Sequence, residues 1–467
     1  MRRNHRFGRK RRRSPFWLWF FLLVILLGIV GWALTRFLPQ FERVPPQITA
    51  PKRVFWSVDA PIKIMLSDNR GLSRYQALLT DGQHNIVVAS NRFAIPVREA
   101  EVDLQIPRGA VEKIKHGHWQ LLIQAYDTSL INTLLDTSAV ASIAIAADTQ
   151  PPQVTLLAKS PTIARGGSAL VIFKAEDPNL KTTYIEAGGH RFVPQVYRHK
   201  PYYATLIAWP FRKQHLGARI VAVDRAGNTA TLPLSFPVVY KKYKTSWIHA
   251  SNRFINGRIT EVAKQNTETV GIADPVARFR AVNETLRLNN EKKIHTWASP
   301  LSDQPIAHWK VHPFYPLKSA KLVADFGTER HYYYDDPKKE ISHAWHLGYD
   351  LASVRHAPIV ASNAGTVVFA GKNGIYGNMP LIDHGFGLTT LYGHCSKVLV
   401  KKGEKVHAGE VIARTGKTGL ALGDHLHFGV LVHGIEVWPM DWMKGNWIIK
   451  NIDRVFHKAD KAIGKQK

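Results

Sequence analysis

The stretch GDHLHFG, residues 423–429, sets His425 and His427 two positions apart with Leu426 between them. A strand turns successive side chains to opposite faces, so both imidazoles share one face and Leu426 takes the other. HLGYD, residues 346–350, holds an imidazole and a carboxylate four apart. Helical and extended backbones both bring His346 and Asp350 to one face, and Gly348 with its β-rich surroundings favours the extended form. Zinc accepts histidine nitrogen and carboxylate oxygen, and a catalytic zinc site holds three protein ligands and an open position. His346 and Asp350 supply two. The His425/His427 pair supplies a third and leaves one imidazole over, which near an unperturbed pKa of about 6.5 can take or give a proton. Spacing does not say which of the pair does which. YGH at 392–394 adds a further imidazole between the two motifs.

The elements that must position these groups lie in one part of the chain. Of 22 histidines, 12 fall between His308 and His433, and 15 of 33 glycines lie between 348 and 434, which assigns the chemistry to residues 301–445. Gly-punctuated runs there, among them PIVASNAGTVVFAG, LTTLYGH and HLHFGVLV, predict a compact antiparallel β domain with tight turns. Upstream, PPQIT at 45–49 recurs as PPQVT at 151–155, and IQAYDTSLIN (123–132) matches VAVDRAGNTA (221–230), an internal repeat. Strand-sized runs such as IKIML, VDLQI and WQLLIQAY predict two β-sandwiches in series, 45–148 and 149–239. The V-x-D-x-A-G-N segment resembles the last strand of bacterial immunoglobulin-like domains. Neither repeat gathers a polar cluster, so both read as spacers. Residues 240–300 turn helical, with Asp274 as N-cap, Pro275 at the first helical position, and Val276, Phe279, Val282 and Leu286 on one face. This connector could pack on either neighbour. Residues 446–467 read as a basic tail. The expected fold is mainly β.

Residues 1–13 carry eight Arg or Lys and no acid, and Phe16 to Leu34 then run 19 residues without a charge, the length of a membrane span. The exit, TRFLPQ, lacks the small-residue cleavage site of a signal peptide, which predicts an uncleaved anchor over 16–38 behind a basic tail, 1–15. The positive-inside rule keeps that tail in the cytoplasm and sends the body across the membrane. Taking the +8 of the tail from the total of +28 leaves +20 on the exported part. Such a surface attracts polyanions, and across a bacterial membrane these are wall polymers and lipid head groups rather than nucleic acid. Cys395 is the only cysteine, so no intrachain disulfide forms. HExxH, GxSxG and P-loop motifs are all missing, which leaves zincin, serine hydrolase and nucleotide-dependent readings without support.

Residues 324–442 resemble the lysostaphin-type, LytM-like zinc endopeptidases of bacterial cell walls, the β-lytic metallopeptidase family. The matching runs are FGTER (326–330), HLGYDLA (346–352), ASNAGTV (361–367), IDHGFGLTTLYGH (382–394), KKGEKVHAGEVIARTGKTG (401–419) and GDHLHFGV (423–430). The resemblance implies one zinc per chain on His346, Asp350 and His427, with His394 and His425 as catalytic imidazoles. It also implies hydrolysis of peptide crosslinks in peptidoglycan. The anchor, together with the lack of a wall-sorting signal, places the chain as a single-pass protein of the bacterial inner membrane with a periplasmic body. In that setting the crosslink joins D-alanine to diaminopimelate, whereas lysostaphin itself cuts glycine bridges. Divisome or wall-synthesis proteins are candidate partners. Degenerate relatives that have lost ligands act as wall-binding regulators or amidase activators, the alternative role, and all five positions here are intact. Cys395 departs from the family, which has an apolar residue after that histidine; it reads as a small buried group. His384 reads as supporting or core, and His331, His343 and His356 as loop residues. Upstream segments cover the groove in some members, a role that 240–300 could also take.

Overall fold

A computed structural model of the protein describes residues 16–37, 44–57, 61–105, 107–110, 114, 119–129, 132, 138–299 and 302–465. The basic tail expected over 1–15 lies outside them. The first described element is a helix, Phe16–Phe37, whose apolar stretch Phe16–Leu34 has a mean hydropathy of 2.5 and no buried residue. At about 1.5 Å per residue it is long enough to cross a hydrocarbon layer.

The chain divides into two compact units, residues 1–150 with 225–228, and residues 151–224 with 229–467. Among the described residues, the strands of the first unit form one six-stranded sheet, dominated by the long hairpin Ile62–Thr80 and Asn85–Leu104. Alternation builds its core: Ile62, Ile64 and Leu66 on one strand share a cluster with Trp119, Leu121 and Ile123 of Trp119–Asp127 and with Trp56. Asp68 interrupts the long strand by accepting from the Arg70 and Gly71 amides at 2.7 and 2.6 Å. Gly71 has φ +137, and a Cβ there would stand 2.7 Å from Pro96.

The second unit opens with the second sequence repeat. Its strands make two four-stranded antiparallel sheets, one running Gln195–Val196, Tyr202–Ala208, Ser168–Glu176, Gln153–Lys159, the other His190–Phe192, Leu180–Ala187, Arg219–Asp224, Thr229–Pro233. Tyr202–Ala208 is buried along its whole length because both of its faces are covered. The C-terminal segment packs on the neighbouring strands Gln153–Lys159 and Ser168–Glu176 of the same sheet. Residues 446–467 read as a tail, but Arg454–Gly464 is a helix whose Val455, Ala459 and Ile463 form a buried i, i+4 stripe. Ser160 donates to the Asn451 carbonyl at 2.7 Å, and Tyr197 to Asp460 at 2.6 Å.

The helical connector packs on the C-terminal domain. Asp274 caps Pro275–Arg280 by accepting from the Ala277 amide at 2.6 Å. Phe279, Val282 and Leu286 share a core with Tyr332, Ile341, Ile375, Met379 and Leu391. Asn290 fixes the register, accepting from the Ile375 amide at 2.9 Å.

The C-terminal domain is built on an eight-stranded antiparallel sheet. Its order is Lys321–Ala324, Tyr349–Ala352, Leu426–Val432, Leu388–Gly393, Asn378–Asp383, Gly365–Lys372, Lys405–Val406, with Ile435–Val437 pairing beside Leu426–Val432. A three-stranded sheet, Thr245–His249, Glu329–Tyr333 and Glu340–Trp345, leads into it. His331 and His343, expected in loops, are cross-strand partners in this smaller sheet.

Candidate active site

Leu426–Val432 is the central strand, and its alternation sorts the chemistry. Leu426, Phe428 and Val430 are fully buried in the core, which turns His425, His427 and Gly429 to the other side. His427 pairs with Asp350 on one neighbouring strand and with Gly393 on the other. The register therefore sets the Asp350 carboxylate beside the His427 imidazole. Glycine at 348 is a steric requirement, since a Cβ there would lie 2.7 Å from His427 Nε2 and 2.7 Å from the Phe428 carbonyl oxygen.

Three of the residues singled out from sequence converge. His346 Nε2 is 2.9 Å from Asp350 Oδ1 and 3.1 Å from His427 Nδ1, and His427 Nδ1 is 3.0 Å from Asp350 Oδ1. His346 Nδ1 faces the Asp325 carbonyl oxygen at 2.9 Å, which only accepts, so Nδ1 carries the proton of the neutral ring and Nε2 a lone pair. Burial drives the His346 pKa down to about 4, keeping it neutral. Burial pushes Asp350 upward, but the imidazoles of His346, His425 and His427 outweigh it and hold the carboxyl well below the usual range. Two imidazole nitrogens and a carboxylate oxygen at mutual distances of 2.9–3.1 Å form a donor set that a divalent cation would satisfy. Zinc bonds of about 2.0–2.1 Å place the corners of a tetrahedron roughly 3.3 Å apart, close to this spacing. The residues fit zinc.

His394 and His425 stand beside this triad. Their ring centroids are 4.8 Å apart, and His394 is 5.8 Å from His427. Each donates Nδ1–H to a backbone carbonyl, His394 to Thr418 at 2.8 Å and His425 to Gly423 at 2.9 Å, which leaves Nε2 as the nitrogen available to the site. His425 Nε2 lies 3.5 Å from Asp350 Oδ1. Burial lowers the His394 pKa to about 3, helped by the charges His425 and His427 would carry. Burial also acts to lower His425, but the Asp350 carboxylate outweighs it and the pKa is raised. His394 has φ +64, a conformation that costs a non-glycine residue roughly 1–3 kcal/mol. Its amide, bonded to the Tyr376 carbonyl at 2.8 Å, and its Nδ1 bond to Thr418 hold it there.

The other histidines and the cysteine do not join. His384 bonds the Ala364 carbonyl at 2.9 Å and Thr390 Oγ1 at 2.7 Å, and burial takes its pKa down to about 4. Cys395 is buried, and desolvation pushes its thiol up to about 12. Arg330, to which sequence assigned no role, places a guanidinium nitrogen 3.4 Å from Asp350 Oδ2. The Asp325 carbonyl and Thr418 carbonyl were also missed, because a backbone acceptor leaves no mark on residue type.

Residues 344–439 match the model of Peptidase family M23, so the chain carries a peptidase M23 domain in its C-terminal part. Among similar proteins, the DD-carboxypeptidase/endopeptidase Mpg of Neisseria meningitidis is 36% identical over 127 residues, 27% of this chain and 27% of that one. The peptidoglycan DD-endopeptidase ShyA of Vibrio cholerae is 41% identical over 101 residues, 22% of this chain and 23% of that one. The matched region thus spans about a quarter of the length of these relatives. Of solved structures, the catalytic domain of lysostaphin from Staphylococcus simulans is 32% identical, with 21% of this chain and 79% of that one covered at a TM-score of 0.21.

Proposed function

We propose that this protein is a membrane-anchored, zinc-dependent endopeptidase that hydrolyses peptide crosslinks of peptidoglycan. The observation that carries the reading is the convergence of His346, Asp350 and His427 with two further imidazoles at one edge of the central strand. The likeness to the Vibrio peptidoglycan DD-endopeptidase supports a crosslink between D-amino acids as the bond cleaved. The apolar helix Phe16–Phe37 supports anchoring in the inner membrane with a periplasmic body. In this reading the two repeats are immunoglobulin-like domains that act as spacers, and wall-synthesis or divisome proteins are the partners that would direct the enzyme.

His346, Asp350 and His427 would hold the zinc, which when bound polarises a carbonyl and lowers the pKa of coordinated water towards about 7. The Asp325 carbonyl fixes the His346 tautomer so that Nε2 faces the cation, and Arg330 orients the carboxylate from behind. His394 and His425, each with Nδ1–H held by a carbonyl, exchange protons through Nε2, accepting one as the nucleophile forms and returning one to the leaving amine. An Nε2–H also donates a hydrogen bond to the oxygen that gains charge in the tetrahedral transition state.

The test is digestion of crosslinked sacculi by the zinc-loaded protein, with products resolved by mass spectrometry beside a His427→Ala control. Loss of crosslinked dimers with the native protein alone is expected, and the product masses name the bond. Dimers left intact by both proteins would replace the enzyme reading with that of a wall-binding regulator.

A further inference from the structure

One face of the three-stranded sheet is closed by the helical connector, which buries Tyr332, Ile341 and Ala344. Strand alternation lines the opposite face with rings, of which Trp247 and His343 are exposed and His331 and Trp345 partly buried. Trp247, 53% exposed, stacks on His331 at 4.8 Å and 18°; His331 lies 6.2 Å from His343, which meets Trp345 edge-on at 5.0 Å. Glu340 binds the Nδ1 atoms of His331 and His343 at 2.7 and 3.2 Å, holding the two rings in the row. At the Trp345 end the row enters a cleft of about 770 Å³ lined by five cations and one carboxylate, Glu329. Arg212 lies 4.3 Å over the Trp345 ring. Lys241 is paired with Asp441 at 2.9 Å. Among the described residues, the remaining cations, Arg165, Arg212, Lys242 and Lys244, have no carboxylate in ion-pair range.

Cations clustered around a single carboxylate repel one another, and the row of rings is open to solvent at Trp247 and His343 while Trp345 anchors it to the core. The two features together complement a ligand with flat, weakly polar faces and repeated negative charge. We propose that this face binds an anionic glycan, with sugar rings lying along Trp247 to Trp345 and acidic groups entering the cleft at Arg212, Lys242 and Lys244. The choice of polymer, the acidic wall strand, rests on the peptidase reading above. Glu329 faces the cleft while its neighbour Arg330 reaches Asp350, so the face is carried on the reverse of a strand that serves the active site. A wall strand held there raises the local concentration of its crosslinks at the site without entering the chemistry.

The test is cosedimentation of the detergent-solubilised full chain with purified sacculi across a salt series, for the native protein, Trp247→Ala and Lys242→Glu/Lys244→Glu. All three substituted side chains are exposed, so folding is kept. Each variant is expected to bind about ten-fold more weakly, and the charge-reversed one to lose most of its salt dependence, while Lys242→Arg/Lys244→Arg binds like the native protein. Cleavage of a short soluble crosslinked peptide should be unchanged in all of them. Native-level sacculus binding by both variants overturns the proposal, as does loss of binding to anionic phospholipid vesicles with sacculus binding intact. A native protein that binds sacculi through this face but cleaves no crosslink would instead refute the peptidase reading and leave the glycan site standing.

Discussion

Substituting Gly348 by Ala isolates the steric condition on which the triad depends. The added Cβ would stand 2.7 Å from His427 Nε2, 2.8 Å from Cε1 and 2.7 Å from the Phe428 carbonyl, where ordinary contact begins at 3.4 Å. The imidazole, or the strand that carries it, must therefore retreat by about 0.7 Å, a displacement larger than the roughly 0.5 Å within which a metal constellation has to be held. Overpacking of this kind costs about 1–3 kcal/mol, which a core of this size tolerates, so the variant should fold with a lowered Tm. Zinc affinity should fall by roughly 10–100-fold, the range seen when the support of a metal ligand is lost. Calorimetric titration of the metal-free protein with zinc, alongside thermal unfolding, reads both quantities. A variant that binds zinc as tightly as the native protein would refute the claim that this close approach fixes His427 as a ligand.

Further outcomes follow from the same geometry. Arg330→Met should weaken zinc binding about ten-fold, because the guanidinium orients Asp350 from a partly buried position; unchanged affinity would show that the contact is idle. Cys395→Ala should keep full hydrolytic activity, and the native thiol, buried and pushed up to about 12, should resist alkylation until the protein unfolds; rapid labelling of the folded protein would contradict this. His384 and His433, away from the metal residues, are held by burial at about 4 against an unfolded value near 6.5. The unfolded chain therefore binds more protons between those values, and their contribution is present above about pH 6.5 and lost as pH falls towards 4, on the order of 1–3 kcal/mol each. Urea midpoints of the metal-free protein that do not move between neutral and mildly acidic pH would refute that contribution.

The site was legible in the sequence where residue type and strand period carry the information. The alternation of Leu426, His427 and Phe428 predicts which side chains meet the core, and the five residues of the constellation were named from motif and resemblance. The domain's mainly β character followed from the same period. What stayed hidden depends on three-dimensional partners. Gly348 reads in the sequence only as favouring an extended backbone, and its further role as the space into which His427 fits needs the neighbouring strand. Arg330 was one basic residue among many until its strand was placed next to Asp350. Arg454–Gly464 has too many charges to stand out as a structured element, yet an i, i+4 stripe of Val455, Ala459 and Ile463 is enough once a sheet lies beneath it. Nothing in the sequence around His331 and His343 fixes them in an element, so they read as loop residues, and only the pairing of their two short strands places them.

The central claim is that two sets of residues divide the work, one holding metal and the other moving protons. Measuring zinc content and crosslink cleavage together for His427→Ala and His394→Ala tests it most directly. The account predicts that His427→Ala loses both metal and cleavage, whereas His394→Ala retains about one zinc per chain and loses cleavage by roughly 100-fold or more, the scale of a general acid–base contribution. Loss of zinc from the His394 variant, or full cleavage by it, would contradict the account.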